Sequence, residues 1–280
     1  MRLIFHAGFH KTGTSSVQQA LALNRAALSP HLRILLKPDM PALTEAARTA
    51  SRIENDGADA PAWALLTYEA AHVLSALDAD DPRPVVLSSE DLSGHMPFRQ
   101  GRPDYGAAPR LMAALKDVAQ RAVPGAVVEF LFTTRAAAPW VASCHAQHLR
   151  ATRMTDDLDT FAARALPHAD LTAMIDRIAA AVAPSPVHRA ALEDTGPRRL
   201  GPVEALFDHI ALPARTRAAL TPPERANRAL PAETQVELLA LNRASTDWTA
   251  THDAKRAVIR AARRRAAQAG DATAAQDRPA

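Results

Sequence analysis

Leu3-Ile4-Phe5-His6-Ala7-Gly8-Phe9-His10-Lys11-Thr12-Gly13-Thr14-Ser15-Ser16 opens the chain with a short apolar run, a polar turn and the start of a helix. The run Leu3 to Phe5 reads as a buried strand that ends at Ala7-Gly8. Residues 15–28 read as one helix, with Val17, Leu21 and Leu28 as its apolar stripe and Ser29-Pro30 as its stop. A strand, a tight polar loop and a helix N-terminus together form a cradle for an anion. Successive backbone N–H groups point inward there, and the helix dipole favours negative charge. Lys11 adds a full positive charge, and the hydroxyls of Thr14, Ser15 and Ser16 add donors.

The rest of the chain repeats the alternation of strand and helix. Further short apolar runs at 32–36, 84–89, 127–133 and 187–192 read as strands, the run from Val127 to Thr133 being the clearest. Helical patterns cover 41–51, 61–78, 109–121, 139–151, 157–166, 170–182 and 202–211, and then 232–244 and 253–268. The pattern predicts an α/β fold with a parallel sheet flanked by helices and a helical C-terminal part. Residues 1–268 are expected to form a single domain, and the small, polar stretch 269–280 a disordered tail. Ligands of such sheets bind beyond the C-terminal ends of the strands. Functional residues are therefore expected just after Phe5, Leu87 and Phe132. The Gly- and Pro-containing segment 94–109 has the length of a loop that covers a site.

Composition narrows the classes. Of 280 residues, 48% are hydrophobic and 22% charged, as in ordinary globular proteins, so the chain has the means to bury a sizeable core. A net charge of +3 suits an anionic small ligand and singles out no polymer. One cysteine, Cys144, allows no internal disulfide, as expected in a reducing compartment. The apolar start is too short for a signal peptide, and no segment approaches a membrane span of about 18 residues. A cytoplasmic protein with no membrane span is expected, and no nucleic-acid partner.

Gly8 and Gly13 have the separation of the glycines in a Walker A loop, G-x-x-x-x-G-K-[ST]. Position 14 is Thr instead of Lys, however, and the one lysine lies two residues before Gly13. The stretch Gly8-Phe9-His10-Lys11-Thr12-Gly13-Thr14-Ser15-Ser16 resembles the 5′-phosphosulfate loop of PAPS-dependent sulfotransferases, whose core is Lys-(Thr/Ser)-Gly-Thr-(Thr/Ser). With Gly-Phe-His ahead of the lysine and Gln18 after it, the stretch is similar to bacterial members of that superfamily. The resemblance implies a P-loop NTPase-like sheet that binds PAPS, with 3′-phosphoadenosine 5′-phosphate (PAP) as product. His10, Lys11, Thr12, Gly13, Thr14, Ser15 and Ser16 would surround the 5′-phosphosulfate. In the same family an Arg closing a core strand and a Ser about eight residues on hold the 3′-phosphate, and Arg135 and Ser143 match both context and spacing. The family's Pro two residues after that Arg is missing, and Pro139 stands four after it.

Sulfuryl transfer needs a base beside the acceptor hydroxyl. The resemblance implies Glu90, at the end of the strand 84–89, in the role that some branches give to Glu and others to His. The competing reading is that Ser89 to Asp91 caps a turn, with Asp91 capping and Glu90 solvated. His10, His95, His145 and His148 compete for the same role. Catalysis would rest on Glu90 and Lys11, with no metal required, because Lys, Arg and backbone amides meet the donor's charge. A metal site from Cys144, His145 and His148 is disfavoured, since neighbouring helix positions point apart. Late in the chain, Asn227 or Arg228 has the place of a residue closing over the nucleotide, although a plain loop before a capped helix reads as well. The basic run Lys255 to Arg265 reads as a solvated face.

The expected activity is therefore transfer of a sulfuryl group from PAPS to a hydroxyl or amine of a small-molecule or glycan acceptor. Two other readings stay open: a nucleotide-dependent phosphotransferase with a degenerate Walker loop, and a non-catalytic nucleotide-binding protein. The first calls for Mg²⁺-dependent triphosphate binding.

Overall fold

Five short strands pair into one all-parallel sheet, and all but the edge strand at 187–191 are rich in β-branched or large apolar side chains. They are β1 (Arg2–His6), β2 (Arg33–Leu36), β3 (Val85–Ser88), β4 (Val127–Thr134) and β5 (Val187–Ala191), in the order β2-β3-β1-β4-β5. All five lie where the apolar runs predict them. The computed structural model describes residues 1–53, 60–99, 102–224, 230–244 and 247–276. Asn227 and Arg228, and residues 277–280 of the expected tail, lie outside the described residues.

The helices are α1 (Thr14–Leu23), α2 (Arg25–Leu28), α3 (Pro41–Ala50), α4 (Ala60–Ser75), α5 (Ala108–Ala122), α6 (Ala137–Ala151) and α7 (Leu158–Ala165). They continue with α8 (Leu171–Val182), α9 (Leu192–Thr195), α10 (Glu204–His209), α11 (Ala214–Ala219), α12 (Ala232–Ala244) and α13 (Trp248–Gln276). The chain folds into two compact units. The first holds residues 1–140 and 167–226, including the whole sheet; the second holds 141–166 and 227–280.

In the first unit, parallel pairing buries both faces of the sheet, as it must where crossover helices cover them. Ile4, Ile34, Leu36, Val86 and Leu131 join Val17 and Leu21 of α1, Leu28 of α2, and Leu200, Val203, Leu206 and Phe207 in one apolar cluster. The intervening residues turn to the other face, which α5 and α8 cover. There Phe5 stacks on Phe130, its register partner, at 5.5 Å between ring centroids.

The helix expected over 15–28 is interrupted at Asn24. Its amide group donates to the carbonyls of Ala20 and Thr221, and its side-chain oxygen accepts from the N–H of Thr221. Those bonds tie the end of α1 to a segment far along the chain, a tertiary demand that outweighs the local helical pattern.

In the second unit, α12 and α13 pack together. The helix α13 begins earlier than its apolar pattern suggests, because the carboxylate of Asp247 accepts from the N–H groups of Thr249 and Ala250 as a cap. Its basic face is not uniformly solvated. Arg256, Arg260 and Arg263 to Arg265 are exposed, but Lys255 is buried and its Nζ donates to the carbonyl of Thr152. Burial lowers the Lys255 ammonium to about 8. Among the described residues, no helix is long and apolar enough to cross a membrane.

The strand order fixes where a ligand can sit. From β1 the chain crosses to β2 on one side, and from β4 it passes to the neighbouring edge strand β5 on the other. Between the C-terminal ends of β1 and β4 the connections diverge, and such a switch point is the usual ligand crevice of an open α/β sheet.

Candidate anion-binding site

The loop after β1 is built from conformations that ordinary residues avoid. Gly8 and Gly13 have φ of 48° and 99°, and Lys11, which has a side chain, has φ of 68°. A β-carbon at Gly13 would come within 2.9 Å of both Leu192 and Pro202, and one at Gly8 would overlap the Thr14 hydroxyl. Left-handed residues alternating with right-handed ones aim consecutive N–H groups into a concavity. Among the described residues no hydrogen bond takes up the N–H groups of Gly13, Thr14 and Ser15, whereas those of Ser16 and Val17 bond to the Gly13 carbonyl. Keeping Lys11 left-handed costs of order 1 kcal/mol, and such strain concentrates at functional sites.

The threonines of the loop serve its shape. The Thr12 hydroxyl donates to the Phe9 carbonyl at 2.7 Å and lies 2.8 Å from the Thr133 hydroxyl at the end of β4; Thr14 donates to the same carbonyl at 3.3 Å. Both side chains are buried, while Ser15 is exposed and Ser16 half-buried.

Arg135, one residue past β4, reaches across the crevice. Its Nη1 donates to the carbonyl of Lys11 at 3.3 Å. The two cationic positions singled out by the sequence therefore meet at one place in the first unit. Ser143 stands on the part of α6 that belongs to the second unit.

Glu90 and Asp91 begin a turn of 3₁₀ helix, Glu90–Ser93, directly after β3. The cap is Ser89, whose hydroxyl accepts from the Asp91 N–H at 3.2 Å. Asp91 is buried, and Glu90 is half-buried with Gln18 Nε2 of α1 donating to its Oε2 at 2.9 Å. One nitrogen of His10 and one carboxylate oxygen from each of Glu90 and Asp91 lie within 4.8 Å of one another. The carboxylates after β3 and the loop after β1 thus share one rim.

Three groups in this rim carry no clear sequence signal. Tyr105, from the covering loop, is buried and packs on Phe9 with ring centroids 4.6 Å apart. Its hydroxyl accepts from the His10 N–H at 2.7 Å and lies 3.0 Å from His10 Nδ1. Since the backbone N–H already occupies one lone pair, the tyrosine proton can point at Nδ1, which leaves the Nε2 proton for Asp91, 3.6 Å away. Lys37 pairs with the other Asp91 oxygen, and the indole N–H of Trp140 donates to the His10 carbonyl at 2.9 Å. His10 is therefore engaged at both ring nitrogens.

Burial alone would raise the Asp91 carboxyl, but hydrogen bonds and charge from His10 and Lys37 prevail and hold it at about 2. A carboxyl depressed in the fold contributes stability above its unfolded value, lost as pH falls through the folded one. Asp91 is expected to contribute on the order of 2 kcal/mol at neutral pH, vanishing between about pH 4 and pH 2. Urea unfolding at pH 7 and pH 2.5 checks this: the stability difference between the two pH values should shrink by a similar amount in Asp91→Asn.

The other histidines considered as bases are placed differently. Burial, with the charges of Arg52, Arg99, Arg48 and His10, pushes His95 down to about 4. In the second unit, the rings of His145 and His148 pack against Phe161, and His145 Nε2 lies 2.9 Å from the carbonyl of Asp156. Cys144 is buried beside them in sequence, and among the described residues these three do not form a metal-binding group.

Compared with known proteins, the chain matches no family model, no curated protein and no solved structure.

Proposed function

We propose that this chain is a PAPS-dependent sulfotransferase acting on a hydroxyl of a carbohydrate or small metabolite. The observation that carries the reading is the Arg135–Lys11 contact at the crevice between β1 and β4. It puts a guanidinium and a strained, lysine-bearing anion loop at one switch point, as a nucleotide with phosphate groups at two ends of its ribose requires. The order of the parallel strands, with β1 central, agrees with the P-loop-like sheet implied by the resemblance.

The residues present fit the donor. The N–H groups at the start of α1 and the Lys11 ammonium suit the 5′-phosphosulfate, and Arg135 suits the 3′-phosphate; Ser143 is assigned by the resemblance. PAPS brings a sulfuryl group already activated by a phosphate leaving group. Lys11 and the loop amides stabilise negative charge that grows on the leaving side, where fixed donors cost no reorganisation. Glu90 takes the acceptor's proton, with Gln18 holding one carboxylate oxygen so that the other faces the acceptor.

Thermal unfolding tests the donor site. PAP without Mg²⁺ is expected to raise the melting temperature by several degrees, corresponding to about 2–3 kcal/mol at 100 times its Kd, while ATP has little effect. If Mg²⁺·ATP stabilises the protein and PAP does not, the phosphotransferase reading replaces this one.

A further inference from the structure

At the opposite end of the sheet lies a second cluster that the anion site does not use. Glu129 sits in β4, beside Ile4 of β1, on the sheet face that carries α10. His188 stands in the adjacent edge strand β5, opposite Leu131 and so on the same face; His209 is the last residue of α10. Glu129 is 5% exposed and could not be left bare there. Arg2 grips it in a fork, Nε to Oε1 at 2.7 Å and Nη2 to Oε2 at 3.0 Å. His209 Nε2 lies 2.6 Å from Oε2, and His188 Nε2 lies 3.8 Å from the same oxygen.

We propose that Glu129, His188 and His209 form a mononuclear site for a divalent transition metal of the zinc class. One donor atom from each lies within 4.8 Å of the others, and no ion is present. A tetrahedral ion with bonds of about 2.0–2.1 Å holds its donors about 3.3 Å apart. The two observed separations from Glu129 Oε2, 2.6 and 3.8 Å, bracket that value. Two imidazoles and one carboxylate are a recurrent set for zinc with an open fourth position.

The ring centroids of His188 and His209 are 4.0 Å apart, so one ion can reach both rings. Burial and the neighbouring His209 press His188 downward. The His188 side chain, 41% exposed, leaves a path for the ion and room for a water ligand. Arg2 Nη2 also donates to Oε2 and lies 3.3 Å from His209 Nε2, so an ion on these donors displaces that contact and leaves Arg2 on Oε1 through Nε, from where it orients the carboxylate. Its charge also works against the ion, which sets the affinity below that of a closed structural zinc site. Binding would clip the edge strand β5 and the end of α10 to β4. The site does not depend on the sulfotransferase reading.

The test uses the full chain, stripped with a chelator and titrated with Co²⁺ as a coloured probe. One equivalent is expected to produce visible ligand-field absorption, which Zn²⁺ abolishes by competition. His188→Ala removes an exposed side chain from an edge strand and should fold. It is expected to weaken Co²⁺ at least tenfold and to abolish the rise in melting temperature that Zn²⁺ gives the wild type. His209→Ala should lose the same absorption. Absence of a one-equivalent Co²⁺ spectrum in the wild type, or an unchanged spectrum and affinity in His188→Ala, overturns the proposal.

Discussion

Replacing Glu90 with glutamine is expected to lower sulfuryl transfer by about 10²–10⁴-fold, the usual worth of a positioned base, while PAP affinity stays within about twofold of wild type. The substitution is nearly isosteric. The side-chain amide of Gln18, which now donates to Glu90 Oε2, can donate to the new amide oxygen in the same place. Stability should not suffer, because the change removes one of two carboxylates that sit close together beside His10. The loop after β1 and the Arg135 contact do not involve this side chain, so donor binding should survive. Transfer is read as PAP formed from PAPS in the presence of hydroxylated acceptors on which the wild type acts. Retained transfer in the variant would move the proton to another group. A loss of PAP binding equal to the loss of transfer would instead make Glu90 part of the donor pocket.

Most of the strands were legible because they are short apolar runs bounded by polar or turn-forming residues; the edge strand at 187–191, with His188 and Arg189 and no fully buried residue, carries the weakest such signal. Leu3 to Phe5 is wholly buried, as is Val85 to Leu87. Their order across the sheet was not legible, since nothing local in a run of valines states which neighbour it takes. The site divides along the same line. Lys11, Arg135 and Glu90 stand at strand ends, where the fold class alone directs attention; Arg135 meets the Lys11 carbonyl, and Glu90 comes near His10. Tyr105 was missed because its role lies in a hydroxyl aimed at a backbone N–H ninety-five positions earlier. Asp91 looked like a cap from its neighbours, yet Ser89 caps the turn and Asp91 is spent on His10 and Lys37. Asn24 shows the converse case, a residue inside a good helical pattern whose partner at Thr221 decides the break. Each of these depends on a pairing across the chain, which composition and periodicity do not encode.

Removing the Lys11 ammonium is the sharper test of the anion loop itself. Lys11→Ala is expected to weaken PAP by about 10- to 100-fold, the worth of one charge-assisted hydrogen bond of ~1.5–3 kcal/mol. Transfer should fall further, by about 10²–10³-fold, because charge on the leaving phosphate is greatest as the sulfuryl group departs. The variant isolates the side chain. Alanine keeps a β-carbon, so the left-handed backbone at φ 68° carries the same strain, and the carbonyl that accepts from Arg135 is untouched. Lys11→Gly separates the two contributions: it relieves the strain and should gain stability of order 1 kcal/mol while losing PAP affinity as alanine does. Calorimetric titration with PAP and thermal unfolding without ligand read these effects independently. Should both variants bind PAP as the wild type does, the ammonium does not face the nucleotide. The loop would then be a strained turn between a strand and a helix, and the assignment of the donor site would fall with it.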